Sequence, residues 1–285
     1  MIKIDGKKIR EVRKMKKISQ IDLAEGICKQ ATISNLERKN YCSSINILSE
    51  ICTRLDITLE EVIINPETGK LKEVLAEVEK LCSIGKHKEA FDLIDEQTPS
   101  ISELKKNQLF SKFFYYKGIT NLLGKNEIER SVLDFQKIIN YPGSEMIYRV
   151  LAINSIGIAF SMKGDNILAN EYHRESIGMM KNLENPPLRL SRVYYNSAKF
   201  FSSQKQYSEA LDLVDKGIEI NKRHKSMDIL DFLLYERAYN KFKLSAGKDM
   251  EDYKIASVVA TLNDNTHLLK VIQSDLERES KGISL

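Results

Sequence analysis

Most of this chain is occupied by a weak repeat about forty residues long, and that repeat limits its fold more than any other feature. In "IGKHKEAFDLIDE" (84–96), "MKGDNILANEYHRESI" (162–177) and "SQKQYSEALDLVDKGIEI" (203–220), a turn precedes a helical pattern with a small residue early on its inner face: Ala90, Ala169 and Ala210. "NLLGKNEIERSVLDFQKII" (121–139) fits less closely, with Ser131 in that place, and "LSAGKDMEDYKIASVV" (244–259) fits loosely, with Asp252. From Ala90 through Ser131, Ala169 and Ala210 to Asp252 the intervals are 41, 38, 41 and 42 residues, and a longer apolar helical pattern precedes each unit. One helical hairpin per period means stacked helix pairs. A small side chain is needed where the two helices of a hairpin press together, because a bulky one would force them apart. Pro99, Pro142, Pro186 and Pro187 fall between units, where helices must stop. With only five prolines and thirteen glycines in 285 residues, the rest of the chain carries few breakers, so an all-α fold is expected.

The period resembles that of tetratricopeptide repeats, which are shorter, at about 34 residues. The resemblance implies a right-handed superhelix of about five degenerate hairpins over residues 76–285, closed by a helix near 268–279. The tetratricopeptide tryptophan has no counterpart, since the chain contains none.

Residues 1–64 read differently, as five short helices. The first covers about 7–16, with Ile9, Val12 and Met15 on one side. Ser19 is a candidate N-cap for the second, with Asp22 three residues on as a partial capping box, and Leu23, Ala24 and Ile27 form its apolar face. The third spans about 30–39, with Ile33 and Leu36 inward. A fourth carries Leu48, Ile51, Cys52 and Leu55, and Thr58 caps a fifth containing Leu59, Val62 and Ile63. "NPETGK" (65–70) brings proline and glycine together and marks the domain boundary, with 65–75 as linker or the start of a linker helix.

The stretch "SQIDLAEGICKQATISNLERKN" (19–40) supplies what a DNA-reading helix-turn-helix requires: a supporting helix, a tight turn at Gly26 and Cys28, and a second helix with short polar residues outward. Those residues are Gln30, Ala31, Thr32, Ser34 and Asn35. Glutamine and asparagine can pair with the N6 and N7 edge of adenine, while alanine and the threonine methyl can touch the thymine methyl. Gln20, at the start of the supporting helix, is placed to hold a phosphate. Arg13, Lys29 and Arg38 complete the candidate phosphate contacts. Eight Lys or Arg among residues 1–17, against Asp5 and Glu11, give this end a local positive charge.

The pattern S-Q-x-x-L-A-x-x-I followed by x-I-S-x-L-E resembles the Xre/Cro-C1 phage-repressor helix-turn-helix family over about residues 5–63. The resemblance implies that Gln30, Ala31 and Asn35 reach base edges with Thr32 and Ser34 close by. It also implies a partly buried ion pair between Arg13 and Glu37. Where the family usually has glycine after the third helix, this chain has Lys39 and then Asn40, which can take the left-handed cap one residue later.

Stacked hairpins create a concave face lined by the first helix of each pair. Asn154 in "AINSIGIAF" and Asn196 in "VYYNSAKFF" occupy matching positions and offer donor and acceptor groups to a peptide backbone. Tyr116, Lys117, Arg192, Tyr195, Lys199, Tyr235, Arg237 and Tyr239 read as a ladder of phenols and cations near the same level, able to hold apolar side chains and a carboxylate.

A DNA-reading head followed by such repeats resembles the PlcR/Rgg-like (RRNPP) family of intracellular peptide-pheromone receptors of Gram-positive bacteria. The motifs in register are "SQIDLAEGICKQATISNLERK", "CSIGKHKEAFDLI", "VYYNSAKFF" and "YSEALDLVDKGIEI". The family implies a cytoplasmic homodimer that binds a palindromic operator in double-stranded DNA and a short signalling peptide in its concave groove, with Asn154 and Asn196 clamping the peptide backbone. Peptide binding must then favour one arrangement of the two heads, through residues 65–75, so that recognition helices sit roughly 34–36 Å apart or a multiple. The alternative is a ligand-independent regulator of the Xre family whose repeats serve for dimerisation or a protein partner.

Other classes find little support. There is no HExxH, GxSxG or Walker loop, "AGKD" (246–249) reads as a turn, and His87, His173, His224 and His267 are scattered surface candidates, so no catalytic site is expected. Cys28, Cys42, Cys52 and Cys82 form no CxxC pair and have no histidine at ligand spacing, so neither metal nor cofactor is expected and free, mostly buried thiols are. No apolar run approaches the length of a membrane span.

Overall fold

The computed structural model describes residues 2–63, 66–181, 183–245 and 250–280. It is helical almost throughout and divides into two compact units, Met1–Glu77 and Val78–Leu285.

The first unit has the five expected helices: α1 (Gly6–Met15), α2 (Gln20–Ala24), α3 (Gln30–Lys39), α4 (Ile45–Leu55) and α5 (Leu59–Val62). Ile9, Leu23, Ala24, Ile33, Leu36, Leu48, Ile51, Cys52, Leu55 and Val62 are buried in one core. Met15, expected on the apolar side of the first helix, is corrected: it is the last residue of α1 and is 74 % exposed. Ile63, expected within the fifth helix, is the C-cap that follows it and is exposed. Sequence patterning also missed a two-stranded antiparallel sheet of β1 (Ile2–Lys3) and β2 (Tyr41–Cys42), too short to show a period.

Local signals set the helix ends. Ser19 and Asp22 form the full capping box of α2, and Thr58 with Glu61 forms that of α5. Asn40 caps α3 in the left-handed conformation (φ 57°, ψ 32°), one residue past the family's glycine position. Its carbonyl accepts from Ile4 N at 2.9 Å and its Oδ1 from Gly6 N at 3.1 Å, which seats α1 on the end of α3. Glycine is required at position 6, since a Cβ there would collide with the Leu36 carbonyl oxygen.

Pro66 opens α6 (Pro66–Ser83), where its missing N–H leaves no helical bond unmade. Asn65, the first residue of the expected boundary motif, lies outside the described residues, as does the turn expected at 246–249. Then follow α7 (His87–Asp95), a short α8 (Ile101–Lys106), α9 (Phe110–Lys125), α10 (Ile128–Asn140), α11 (Met146–Met162), α12 (Asn166–Met180), a 3-10 turn (Leu188–Leu190), α13 (Ser191–Ser203), α14 (Tyr207–His224), α15 (Leu230–Leu244), α16 (Glu251–Leu262) and α17 (Thr266–Ser280). Hairpins α9–α10, α11–α12, α13–α14 and α15–α16 stack in sequence, with α17 packed against α16.

The repeat markers keep one structural register. Ala90, Ser131, Ala169 and Ala210 are each the fourth residue of α7, α10, α12 and α14, and all are fully buried. Asp252 departs: it is the second residue of α16 and is buried as an ion pair, not as a small spacer. Five residues before each of the first four markers, Gly85, Asn126, Gly164 and Lys205 adopt the left-handed conformation. Lysine is the poorest fit of the four to φ 63°, because its Cβ crowds the following carbonyl. Lys205→Gly is therefore expected to raise stability by about 0.5–1 kcal/mol, the relieved strain outweighing glycine's greater unfolded-chain entropy. The shift in the denaturant midpoint measures it, and an unchanged or lower midpoint contradicts the strain argument.

Successive first helices pack side by side, α9 on α11, α11 on α13 and α13 on α15, and among the described residues no second helix packs on the next second helix to a comparable degree. The first helices are thus the closer-spaced, inner layer of this unit, and the stack curves toward them.

Candidate nucleic-acid interface and ligand groove

The recognition helix is positioned by a chain of polar contacts. Arg13 donates from Nε and Nη2 to the two carboxylate oxygens of Glu37 at 2.6 and 3.0 Å, and from Nη1 to the Ile18 carbonyl at 2.8 Å. Gln20 Nε2 donates to Glu37 at 2.8 Å, and Gln20 Oε1 accepts from Gln30 Nε2 at 2.8 Å. Burial pushes the Glu37 carboxyl up, but hydrogen bonds from Arg13 and Gln20 and the charge of Arg13 outweigh it and hold the group below its ordinary value. Arg54, on α4, donates to the carbonyls of Asp22, Leu23 and Glu25 and so closes the open end of α2.

Ala31, Asn35 and Arg38, at i, i+4 and i+7 on α3, are exposed on the face opposite Ile33, Leu36 and Glu37; Gln30 and Lys29 are exposed at its start. Thr32 and Ser34 are half-buried at the edges of that face. Arg13 must be withdrawn from the phosphate-contact set. It is buried, and its guanidinium is directed at Glu37 and Ile18, so its work is to hold α1, the start of α2 and α3 together. Gln20 is half-buried and spans Glu37 and Gln30, which makes it a support for Gln30 as well as a group near the helix start.

In the second unit, contacts between neighbouring first helices identify the inner wall. Asn196 Nδ2 donates to Asn154 Oδ1 at 3.0 Å (α13 to α11), the Tyr195 ring lies 5.7 Å from Phe232 (α13 to α15), and Tyr235 donates to Asp275 at 2.8 Å (α15 to α17). Arg192, Tyr195, Asn196 and Lys199 fall at i, i+3, i+4 and i+7 and form one stripe of α13 on this wall. Arg192 pairs with Asp228 at 2.9 Å, and Lys199 is exposed.

The rest of the expected ladder does not assemble there. Asn154 is 1 % exposed: its amide nitrogen contacts His173 Nδ1 (3.2 Å), Ser176 Oγ (3.2 Å) and Ser197 Oγ (3.0 Å). Tyr116 is buried as well. Lys117 turns to Asp95 of α7, Arg237 to Asp252 of α16 and Asp215 of α14, and Tyr239 to Tyr207 of α14, all on the second-helix side. Each residue turns a helix by about 100°, so Arg237, two residues past Tyr235 on the inner wall, points elsewhere. His173 is not a surface histidine: it is buried against Phe200, and burial pulls it down to about 4. The thiols are all free, two buried and two half-buried. Sequence reasoning missed Glu79, Lys112, Tyr148 and Arg189, which meet from four separate segments and leave no local pattern.

Among the described residues no helix is long and apolar enough to cross a membrane. A family model described as "RNPP family C-terminal domain" matches residues 75–275, and a helix-turn-helix model matches residues 9–62. Comparison with curated protein sequences finds no match. The fold is similar to that of Bacillus thuringiensis PlcR in complex with the peptide PapR7 and DNA, with a TM-score of 0.65 at 23 % identity over 94 % of this chain and 98 % of that one. It is similar also to the apo form of PlcR (0.62, 19 %, 94 % and 98 %) and to ComR from S. thermophilus in complex with DNA and its signalling peptide ComS (0.53, 16 %, 95 % and 97 %). With helical hairpins, a helix-turn-helix head and a family match over more than half its length, the chain belongs to the RNPP family.

Proposed function

We propose that this chain is a cytoplasmic transcriptional regulator that binds a palindromic operator as a homodimer and is controlled by a short signalling peptide. In this reading residues 1–64 are the DNA-binding head, 76–285 bind peptide and dimerise, and 65–75 connect the two. The observation that carries the DNA half is the exposed stripe of α3, short and uncharged at Ala31 and Asn35 and cationic at Arg38, on a helix fixed by the Arg13–Glu37–Gln20–Gln30 chain. A rigid helix with a short polar face is what the major groove admits. Gln30, Ala31 and Asn35 are the base-reading residues, with Thr32 and Ser34 at the margins and Lys29, Arg38 and Gln20 toward phosphates. The peptide half is supported by membership of the RNPP family and by the inner wall of Arg192, Tyr195, Asn196, Lys199 and Tyr235. The solved relatives PlcR and ComR, each in complex with DNA and a peptide, lend it further weight. The role is one of binding and coupling: a peptide acts by favouring one arrangement of the paired heads.

Operator selection from a pool of random duplexes tests this. Gln30→Ala combined with Asn35→Ala is expected to weaken binding to the selected sequence about a hundredfold, at roughly 1–3 kcal/mol per lost base contact. Salt-dependent binding to unrelated DNA should remain. Retention of full specificity by the double variant would contradict the assignment of α3 as the reading helix.

A further inference from the structure

Glu79 on α6 pairs with Nζ of Lys112 on α9 at 2.6 Å and with the guanidinium of Arg189, in the 3-10 turn before α13. Arg189 also donates to the Tyr148 hydroxyl on α11 at 3.2 Å and lies over the rings of Tyr116 and Tyr148. One carboxylate is therefore held by two cations that belong to different hairpins and lie 77 residues apart in the chain. The Arg189–Tyr148 bond and the Tyr115–Tyr148 ring contact, between the segment before α13, α11 and α9, place this cluster on the first-helix layer.

The side chains of Lys112, Arg189 and Glu79 are 26 %, 27 % and 31 % exposed, so all three have left much of their water. Burial pulls both Lys112 and Arg189 below their ordinary values, and the neighbouring Arg192 charge pulls Arg189 further. Two cations held this way need an anion. Glu79 is the carboxylate in direct contact with both, while Glu145 acts on Lys112 and Asp228 on Arg189 from farther off, and through that contact Glu79 ties α6 to α9 and to the turn before α13.

We propose that Lys112, Arg189 and Tyr148 form a carboxylate receptor at the groove wall, which Glu79 occupies in the ligand-free chain and which a carboxylate of the bound peptide takes over. The inference rests on the peptide reading of the groove and adds a ligand chemistry and a means of regulation. The exchange replaces one carboxylate with another, so the net charge at the receptor is unchanged and no cation is stranded. What changes is the tether. A ligand that binds with Glu79 displaced favours the state in which α6 is no longer held to α9 and the turn before α13. Because α6 contains Glu77 and Val78, where the chain passes from one unit to the other, the exchange acts on the connecting helix itself.

The full-length chain can be challenged with a pool of synthetic heptapeptides lacking Asp and Glu, prepared both as free acids and as C-terminal amides, with retained peptides quantified by mass spectrometry. Free acids are expected to be retained about tenfold over amides of the same sequence, the scale of a charge-assisted hydrogen-bond pair. Arg189→Gln and Lys112→Gln should each bring that ratio toward one, and Glu79→Gln should raise retention of free acids several-fold because the internal competitor has lost its charge. A second pool of amides, each with one internal Asp or Glu, separates the two carboxylate sources: recovery of retention there assigns the receptor to an acidic side chain, and no recovery to the peptide terminus. Equal retention of acids and amides by the unaltered chain, with the acidic amides no better, overturns the receptor and leaves the groove reading standing. Failure to retain any peptide overturns both. The acid-to-amide ratio is read on the unaltered chain, so a variant that fails to fold does not decide the outcome.

Discussion

Arg13→Ala should unfold the first unit and abolish sequence-specific DNA binding with it. Glu37, whose side chain is 2 % exposed, would be left as a buried carboxylate without its cation. Breaking such a pair from one side costs about 3–5 kcal/mol, comparable to the whole stability of a domain this small. A calorimetric scan of the full-length chain should show loss of the transition that belongs to the first unit. Arg13→Met combined with Glu37→Leu provides the control, since a packed apolar pair removes the stranded charge. It should restore most of the stability while still weakening operator binding, because Gln20 loses the carboxylate that orients it toward Gln30. An Arg13→Ala protein that melts like the parent would remove the pair from its organising role. Acid should act on the same pair. Because the Glu37 carboxyl is held below its ordinary value in the folded chain, its contribution is complete above about pH 4.5 and is lost as the pH falls through the folded-state value.

Asn154→Ala should have the second large effect, and Asn196→Ala should not share it. The Asn154 amide nitrogen, with two hydrogens to give, lies within hydrogen-bond distance of His173, Ser176 and Ser197 inside the hairpin stack, and its Oδ1 accepts from Asn196. Its removal leaves several buried polar groups short of a partner at about 1–3 kcal/mol each, part of it recovered by the direct contact between His173 Nδ1 and Ser197 Oγ at 3.1 Å. A net loss of about 3 kcal/mol is expected for the second unit, read from its denaturant midpoint. Asn196 is half-buried and makes one of these bonds, so its removal should cost about 1 kcal/mol or less and show mainly in the response to peptide. Equal destabilisation by the two substitutions would contradict this division. His173 adds a pH signature. In the folded chain it is held down to about 4 by burial, whereas the unfolded side chain titrates near 6.5. The unfolded state therefore binds more protons in between, and stability falls as the pH drops from 6.5 toward 4, by about 3 kcal/mol in total.

The reading of the head from sequence alone went far because its signals are local. Ser19 and Asp22 lie three residues apart and cap one helix, Asn40 is the next residue able to take the left-handed form after α3, and the α3 stripe follows a fixed angle per residue. The hairpin markers were legible for a related reason. A helix pair can approach closely only where a side chain is small, so Ala90, Ser131, Ala169 and Ala210 recur whatever surrounds them. The pairing of Arg13 with Glu37 was reachable only through resemblance, since 24 residues and a turn separate the two.

The groove was less legible, and the reason is geometric. Asn154 and Asn196 hold matching places in the repeat, yet one is buried among His173, Ser176 and Ser197 and the other is half-exposed. Which of them meets solvent depends on the rotation of α11 and α13 about their own axes, and a shift of one residue in that rotation changes a side chain's direction by about 100°. Arg237, two residues past Tyr235, was misplaced by a rotation of this kind, and Lys117 likewise turns to the second-helix side.

By itself, then, the amino-acid order determined the helices, their caps, the hairpin period and the polar face of α3, since each depends on residues within about one turn of each other or on a spacing the chain repeats. Only the tertiary structure decided which residues of the repeats share a wall, that His173 is interior, and that Glu79 meets Lys112 and Arg189. Those encounters depend on how helices distant in the chain cross and rotate against one another, and that geometry is set by the packing of the whole unit rather than by any short stretch of sequence.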